Sequence, residues 1–206
     1  MLSRLDDIIY PNRCEVIEIE ASQRYIYPIY KNGSTSLTNY AQAQKLKILF
    51  NEQIGKLTDI NIIIRNPQER FISGFNTYVY NTKRDNPQLD LDTIIYFAET
   101  YLFLNRHYAP QFSWLVNLTR YTSKTTKLYL SGMDRLKEFT PLNIKPKETM
   151  LLSPEVIYRL NSNIHNEMYL RIDNLLLNLV GESMTFDEIL KYLKEKDPKA
   201  YAHVLS

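Results

Sequence analysis

The feature that most constrains the fold is an aromatic and aliphatic run, Tyr25 to Tyr30, that stops abruptly at Lys31. Its composition predicts a buried strand over 25–30, and a helix-compatible segment over 35–50 follows a short turn of small residues. In this strand–turn–helix order, free backbone N–H groups at the helix start face the turn, and the helix dipole favours negative charge there. The sequence therefore predicts an anion site at the turn.

The turn itself offers donors that suit a phosphate or sulfate group. Gly33 permits close approach of the backbone to a ligand, and Lys31 adds a full positive charge. The predicted binding residues are Lys31, Asn32, Gly33, Ser34, Thr35 and Ser36. The turn is not a Walker loop, because in that motif the lysine follows the last glycine, whereas Lys31 precedes Gly33. An ordinary strand-to-helix turn capped by serine is the alternative interpretation.

A second strand–turn–helix unit follows the first. The β-branched run 60–64 predicts a buried parallel strand, and Arg65 stands at its carboxyl end. Asn66 is a predicted N-cap for a helix over 67–82, with Pro67 at its first position. Since ligands of open α/β sheets bind outside the carboxyl ends of the strands, Arg65 and the Lys31 turn are expected at one site. Two anion-binding elements indicate a ligand with two separated anionic groups.

Both segments resemble motifs of one enzyme family. Residues 31–36 look like the 5′-phosphosulfate loop of sulfotransferases, and residues 65–75 look like their 3′-phosphate motif, R-D-P-x-E-R-x-x-S. Segments 105–111 and 128–136 fit the same family more loosely. The resemblance implies a sulfotransferase that uses 3′-phosphoadenosine 5′-phosphosulfate (PAPS) as cosubstrate. It is closest to the carbohydrate sulfotransferases of Golgi membranes, which implies an acceptor hydroxyl on a carbohydrate.

The resemblance also implies roles for individual residues. Lys31 is expected to neutralise charge on the oxygen that bridges phosphate and sulfate, while Arg65 and Ser73 are expected to bind the 3′-phosphate. His107 is the candidate general base, because its pKa lies near neutrality. Glu52 is an alternative base, and a loop histidine that bonds the backbone or the cosubstrate is the alternative interpretation of His107. No metal is needed in this chemistry.

The predicted fold class is α/β, a P-loop-like three-layer fold with a small central parallel sheet flanked by helices and a helical C-terminal part. We expect a single domain over 1–206, with 183–206 as a helical tail after a possible hinge at Gly181. Beyond the two units above, the pattern predicts an edge strand over 15–20, a helix over 90–104 and a strand over 127–130. It also predicts a long helix from Ser153 to Leu179 and a capping box at Thr185 and Glu188 that opens a final helix.

Composition excludes several classes of function. A net charge of +2 over 206 residues carries no signature of nucleic-acid binding. Cys14 is the only cysteine, so an intramolecular disulfide and a Cys-rich zinc site are both excluded. The sequence has no apolar stretch of membrane length and no signal-peptide core, which predicts a cytoplasmic protein of a bacterium or virus. Two other hypotheses stay open, a nucleotide-dependent phosphotransferase and a non-catalytic nucleotide-binding protein.

Overall fold

The computed structural model describes residues 14–19, 24–100, 107–140 and 153–205. These residues form a six-stranded sheet in the order β3-β1-β2-β4-β5-β6. The strands are β1 Glu15–Ile19, β2 Arg24–Tyr27, β3 Ile48–Phe50, β4 Asp59–Ile64, β5 Lys127–Gly132 and β6 Ser183–Met184. The helices are α1 Ser34–Ala43, α2 Pro67–Asp85, α3 Leu91–Thr100, α4 Gln111–Thr119, α5 Pro154–Asn161, α6 Ile164–Leu177, α7 Phe186–Lys196 and α8 Pro198–Leu205, with two 3₁₀ helices at Asn51–Lys56 and Met133–Glu138.

The predicted mixed α/β class is confirmed, and the centre of the sheet is parallel. Strand β4 pairs in parallel with β2 on one side and with β5 on the other, whereas the remaining pairs are antiparallel. Every residue of β4 from Ile60 to Ile64 is buried, as expected of a central strand covered on both faces. The carboxyl ends of β2 and β4 therefore meet at one edge of the sheet, which is where the predicted anion site lies.

The prediction of a helix over 35–50 is wrong in its second half. Helix α1 ends at Ala43, because Lys45 adopts a left-handed conformation (φ 53°) and the Leu46 amide bonds back to the Ala41 carbonyl at 2.8 Å. The chain then forms β3, which pairs with β1. This pairing also corrects the prediction that 15–20 is an edge strand, since β1 lies between β3 and β2.

The predicted long helix from Ser153 to Leu179 is two helices. Its start is confirmed, because the Ser153 hydroxyl accepts a hydrogen bond from the Val156 amide. Helix α5 ends at Asn161, and the Asn163 side chain accepts a hydrogen bond from the Asn166 amide at 3.4 Å, so it caps the start of α6. A side chain that competes for backbone donors in this way interrupts a helix whose apolar periodicity continues.

The C-terminal helices pack onto the same core as the sheet. The capping box of Thr185 and Glu188 is confirmed at the start of α7. Strand β6 pairs with β5, and the Gly181 amide donates to the Leu130 carbonyl at 2.7 Å. The buried side chains of α7 and α8 that join the main core are Ile189, Leu193, Ala200 and Val204. The segment 183–205 is therefore attached to the sheet by both hydrogen bonds and apolar contacts.

Most of the remaining predictions are confirmed where the structure describes them, but the strand predicted over 25–30 ends at Tyr27 and the helix predicted over 67–82 continues to Asp85. The strand at 60–64, the strand at 127–130 and the Asn66 cap, whose side chain accepts from the Glu69 amide, are all present. The predicted helix over 90–104 appears as α3, and its last residues lie outside the described part of the chain. Helix α4 was not expected from the sequence. No helix among the described residues is both long and apolar enough to cross a membrane.

Candidate anion-binding site

The Lys31 turn and Arg65 lie in direct contact. The turn follows β2 and Arg65 follows β4, and these two strands are neighbours in the sheet. Arg65 Nη1 donates a hydrogen bond to the Lys31 carbonyl oxygen at 3.2 Å. The structure thus brings together the two elements that the sequence predicts to bind anions.

The turn has a conformation that requires its glycine. Lys31 and Gly33 both have positive φ, 67° and 83°, and the Asn32 amide donates to the Ile29 carbonyl at 3.1 Å. A Cβ atom at Gly33 would overlap the side chain of Leu136, which belongs to the 3₁₀ helix after β5. Both the backbone conformation and the available space therefore select glycine at this position.

Asn32 has a structural role in the turn. Its side chain is 1% exposed, and Nδ2 donates to the Ile63 carbonyl at 2.7 Å and to Gln111 Oε1 at 2.5 Å. These bonds join the turn to the end of β4 and to the start of α4. A contact between Asn32 and a cosubstrate stays a prediction.

The residues after Gly33 form the first turn of α1. The first intrahelical bond runs from the Leu37 amide to the Gly33 carbonyl, so the amides of residues 34–36 precede the hydrogen-bonded ladder. Among the residues that the structure describes, no side chain caps this end of the helix. Ser34 is buried, Thr35 is exposed and Ser36 is half-buried. The three amides and the helix dipole provide the expected donors for an anion.

The Lys31 ammonium group lies against α2. Its Nζ donates to Thr77 Oγ1 at 2.5 Å, and the Thr77 hydroxyl in turn donates to the Ser73 carbonyl at 3.1 Å. Ser73, a predicted phosphate ligand, is half-buried one helical turn before Thr77. The structure therefore brings Lys31 to the same face of α2 as Ser73.

Arg65 and Arg70 have different environments. The Arg65 side chain is 27% exposed and has Glu69 Oε2 at 3.7 Å from its Nε. Arg70 is buried, and it donates to the carbonyl oxygens of Tyr30 at 3.0 Å and Ala109 at 2.5 Å. Burial lowers the pKa of Arg70 to about 10, although the charge of Asp173 opposes this shift. Arg70 therefore fixes the backbone, while Arg65 is the guanidinium that a ligand can reach.

Gln111 and Asp173 hold the site together, and neither was predicted from the sequence as a site residue. Gln111 is fully buried at the start of α4. The carboxylate of Asp173, on α6, accepts from the Gln111 amide at 2.7 Å and from the Phe112 amide at 2.9 Å. Burial raises the pKa of the Asp173 carboxyl to about 6, against the opposing effects of Arg70 and the two amides. The only sequence signal was the spacing of Tyr169 and Asp173 on one helix face, which also fits simple packing.

His107 belongs to a row of aromatic rings beside the turn. Its ring centroid lies 5.8 Å from that of Tyr30, and Tyr30 stacks on Trp114 with centroids 5.3 Å apart and an interplanar angle of 17°. Because Tyr30 directly precedes Lys31, the structure brings His107 to the neighbourhood of the turn. Its backbone packs so closely on α2 that a Cβ atom at Gly74 would overlap the His107 carbonyl.

Glu52, the alternative base, lies at the same edge of the sheet but farther away. It is exposed in the 3₁₀ helix that follows β3. Strands β3 and β2 run in the same direction with β1 between them, so their ends are separated by about 10 Å. Of the two candidate bases, His107 is the one that contacts a residue adjoining Lys31.

A cavity of about 410 Å³ borders the turn on the side of α1. The described residues that line it are Cys14, Glu15, Tyr27, Pro28, Tyr30, Ser34, Thr35, Thr38, Asn39 and Trp114. Lys31, Arg65 and Ser73 are not among these lining residues. Within the described ranges, no three His, Cys, Asp or Glu side chains are grouped so that they could hold a metal ion.

Comparison of the chain with protein families, with curated proteins and with solved structures finds no match.

Proposed function

We propose that the protein is a PAPS-dependent sulfotransferase that moves a sulfuryl group from PAPS to a hydroxyl of a carbohydrate acceptor. The observation that carries the proposal is the contact between Arg65 and the Lys31 carbonyl, which joins two cationic residues at the ends of neighbouring parallel strands. A nucleotide with a 3′-phosphate and a 5′-phosphosulfate has two anionic ends, which match two such elements.

A P-loop-like arrangement is part of the proposal. Helices α1 and α2 each follow a strand of the parallel centre, β2 and β4 respectively, and β5 extends that centre on the other side. This order supports a nucleotide site at the carboxyl ends of the strands, since ligands of open α/β sheets bind there.

The 5′ end of PAPS is assigned to the Lys31 turn. The amides of residues 34–36 would donate to the phosphosulfate, and the Lys31 ammonium would neutralise the negative charge that grows on the bridging oxygen as the S–O bond breaks. Lys31 now bonds Thr77, so reaching the bridging oxygen requires it to exchange one oxygen partner for another. A lysine can make this exchange because its stem is long and its ammonium group carries three rotatable donors.

The 3′-phosphate is assigned to Arg65 with Ser73. The Arg65 guanidinium is partly exposed, and its only ion-pair contact among the described residues is a long one to the exposed Glu69. Arg70 is engaged by two backbone carbonyls and is buried, so it supports the site without binding the nucleotide. A planar guanidinium can donate two parallel hydrogen bonds to a phosphate.

His107 is the proposed general base. A neutral imidazole would take the proton of the acceptor hydroxyl as the oxygen attacks sulfur, and such base catalysis typically contributes about a hundredfold to ten-thousandfold. The contact of its ring with Tyr30 supports a position near the Lys31 turn.

The proposal is tested by calorimetry with 3′-phosphoadenosine 5′-phosphate (PAP), the spent cosubstrate, and with 5′-AMP, which lacks the 3′-phosphate. A charge-assisted hydrogen bond contributes about 1.5–3 kcal/mol, so PAP should bind about tenfold or more tightly than 5′-AMP. Arg65→Ala should remove this preference. Arg84→Ala is the matched control, because Arg84 is an exposed arginine on the same helix as Ser73.

Two results would count against the proposal. Equal affinities for PAP and 5′-AMP in the unmodified protein would contradict the 3′-phosphate assignment. Transfer from labelled ATP that is abolished by a chelator and restored by magnesium would instead favour a phosphotransferase.

A further inference from the structure

The strand ladder does not fix the separation between the two halves of the candidate site. Strand β2 ends at Tyr27, which pairs with Ile62 of β4. The Lys31 turn lies beyond this ladder, whereas Arg65 directly follows the last residue of β4. Side-chain contacts therefore have to hold the turn against the end of β4.

Asn32 and Gln111 form a buried connection between the halves. Asn32 Nδ2 donates to the Ile63 carbonyl at 2.7 Å and to Gln111 Oε1 at 2.5 Å. The same Oε1 atom accepts from the Arg65 amide at 2.9 Å, and Gln111 Nε2 donates to the Arg65 carbonyl at 3.0 Å. Asn32 and Gln111 are 1% and 0% exposed. The connection thus runs from the turn to the Arg65 backbone through buried groups, where water does not compete for the hydrogen bonds.

A second link between the halves uses donors that a ligand would also use. Arg65 Nη1 donates to the Lys31 carbonyl at 3.2 Å, and the Arg65 side chain is 27% exposed. A phosphate bound by this guanidinium would compete for its N–H groups. The bonds of Gln111 are made to the Arg65 backbone, so they persist when the guanidinium turns to a ligand.

Gln111 is itself held in place from below. Its amide donates to Asp173 Oδ2 at 2.7 Å, and the next amide, of Phe112, donates to Asp173 Oδ1 at 2.9 Å. This buried carboxylate fixes the first turn of α4, and with it the point from which the Gln111 side chain extends. Because Gln111 is fully buried, it acts on a bound nucleotide through the residues that it bonds.

We propose that Gln111 is a positioning residue: it sets the separation of the two anion-binding halves, so that the site selects a nucleotide with two anionic ends over a nucleotide with one. That this nucleotide is PAP rests on the proposed function. When both ends of a ligand bind at once, linked contacts can exceed single ones by about a hundredfold to ten-thousandfold, provided that the geometry allows both. A site whose halves can drift apart keeps each contact and loses this gain.

Gln111→Met tests the role, because methionine is unbranched and of similar length but does not reproduce the three side-chain hydrogen bonds. Calorimetry compares PAP with 5′-AMP and with 3′-AMP, which each present a phosphate to one half of the site. PAP affinity should fall about tenfold or more, whereas each monophosphate should change by no more than about threefold, because a single contact does not depend on the separation. A merely structural role would lower all three affinities by one factor, through the folded fraction alone.

Asn32→Leu breaks the same connection from the side of the turn. It removes the bond to Gln111 and leaves the bonds between Gln111 and Arg65 in place. The preference for PAP over 5′-AMP should fall to a similar extent. The double variant should lose no more than either single variant, because residues of one hydrogen-bond network do not contribute additively. If Gln111→Met does not fold, Asn32→Leu decides the test alone.

Asn166→Leu is the matched control for the loss of a buried carboxamide. Asn166 is 4% exposed, and its Nδ2 donates to the Leu160 carbonyl at 3.1 Å, which joins α6 to α5 rather than to the candidate site. This variant should be less stable and should keep the unmodified ratio of PAP affinity to 5′-AMP affinity. An equal loss of that ratio in Asn166→Leu and Gln111→Met would assign the effect to reduced stability and overturn the inference.

The inference and the proposed function fail on different results. Equal affinities of the unmodified protein for PAP and 5′-AMP would contradict the proposed function, and the selection of two anionic ends with it. A clear preference for PAP that both Gln111→Met and Asn32→Leu retain would leave the proposed function standing and overturn the inference alone.

Discussion

Gln111 and Arg65 are joined by a pair of hydrogen bonds. The Arg65 amide donates to Gln111 Oε1 at 2.9 Å, and Gln111 Nε2 donates to the Arg65 carbonyl oxygen at 3.0 Å. The same Oε1 atom accepts from Asn32 Nδ2. One buried carboxamide on α4 therefore fixes the backbone after β4 and the turn after β2, which are the two halves of the candidate site.

Gln111→Leu should destabilise the fold and loosen the site. It leaves the Arg65 amide, the Arg65 carbonyl and Asn32 Nδ2 without their Gln111 partner, and an unsatisfied buried group costs about 1–3 kcal/mol. We expect the free energy of unfolding to fall by about 3 kcal/mol, measured by urea denaturation. Gln111→Glu should be at least as destabilising, because it places an acceptor oxygen against the Arg65 carbonyl oxygen and buries a second carboxylate near Asp173.

The same substitution at an exposed glutamine is the control. Gln42→Leu lies on the exposed side of α1 and should change the free energy of unfolding by no more than about 0.5 kcal/mol. If Gln111→Leu denatured at the same urea concentration as this control, the hydrogen bonds of Gln111 would not contribute to the free energy of unfolding.

Asp173 should give the protein a specific pH dependence of stability. Burial raises the pKa of its carboxyl from the ordinary 3.8 to about 6 in the folded state. Between these two values the folded protein holds a proton that the unfolded chain has released. The free energy of unfolding should therefore decrease as pH rises from about 4 to about 6, by on the order of 2–3 kcal/mol, and this loss should be complete above that window.

Asp173→Asn isolates this contribution from the other titrating groups. Urea denaturation of both proteins between pH 4 and pH 8, a range chosen to bracket the titration by about two units, gives the difference in free energy of unfolding at each pH. As pH rises to about 6, the unmodified protein should lose stability relative to the variant, because only the unmodified protein carries the Asp173 carboxyl. The variant offers one oxygen to the amides of Gln111 and Phe112, so it should also be less stable at the acidic end. A difference that does not vary with pH would contradict the raised pKa.

Local chemistry explains which parts of the fold were predictable. Some elements depend only on residues close to them in sequence, and the sequence alone predicts these elements. They are the helix starts capped by Asn66 and Thr185 and the β-branched strand β4. Strand β3 could not be predicted in this way, because its residues form a strand only through pairing with β1, more than 30 residues earlier. A run such as 46–50 is equally apolar at helical and at strand spacing.

The candidate site also has one part that the sequence predicts and one part that it does not. The proximity of Lys31 and Arg65 was predictable, because the carboxyl ends of neighbouring parallel strands meet at one edge. The bonds from Gln111 to Arg65 and from Asp173 to Gln111 join residues 46 and 62 positions apart. Such long-range polar contacts leave no periodic signal in a single sequence.

Lys31→Ala should lower turnover far more than it lowers affinity for PAP. The charge that Lys31 is proposed to neutralise develops mainly in the transition state, and the loss of one such donor costs about a hundredfold or more in turnover. Lysine and alanine both carry a Cβ atom, so the positive φ of residue 31 should strain the backbone of the variant no more than that of the unmodified protein. The assay is transfer of labelled sulfuryl groups at saturating PAPS, with PAP affinity measured separately.

Lys124→Ala is the control for Lys31→Ala, because Lys124 is exposed and lies away from the candidate site in the turn before β5. It should leave both turnover and affinity unchanged. Should Lys31→Ala keep near-normal turnover at saturation while binding PAP weakly, Lys31 would be a binding residue alone.

Gly74→Ala tests how the His107 segment is positioned. Alanine favours a helix over glycine by about 1 kcal/mol, so propensity alone predicts a more stable protein. The added Cβ would instead overlap the His107 carbonyl oxygen and must push the segment away from α2. We expect a loss of about 1–3 kcal/mol in the free energy of unfolding. Gly55→Ala, where the nearest atom to the new Cβ is the Tyr121 carbonyl oxygen at 3.2 Å, should be milder.

The displacement also has a catalytic consequence if His107 is the general base. Gly74→Ala should then lower turnover while PAP affinity changes little, since Arg65 and the amides of residues 34–36 keep their backbone positions. His107→Ala should lower turnover by about a hundredfold or more and remove the decline of turnover at acid pH that protonation of an imidazole causes. If both variants instead weaken PAP binding and retain turnover at saturation, His107 is a nucleotide contact, and Glu52 becomes the base to be tested by the same pH profile.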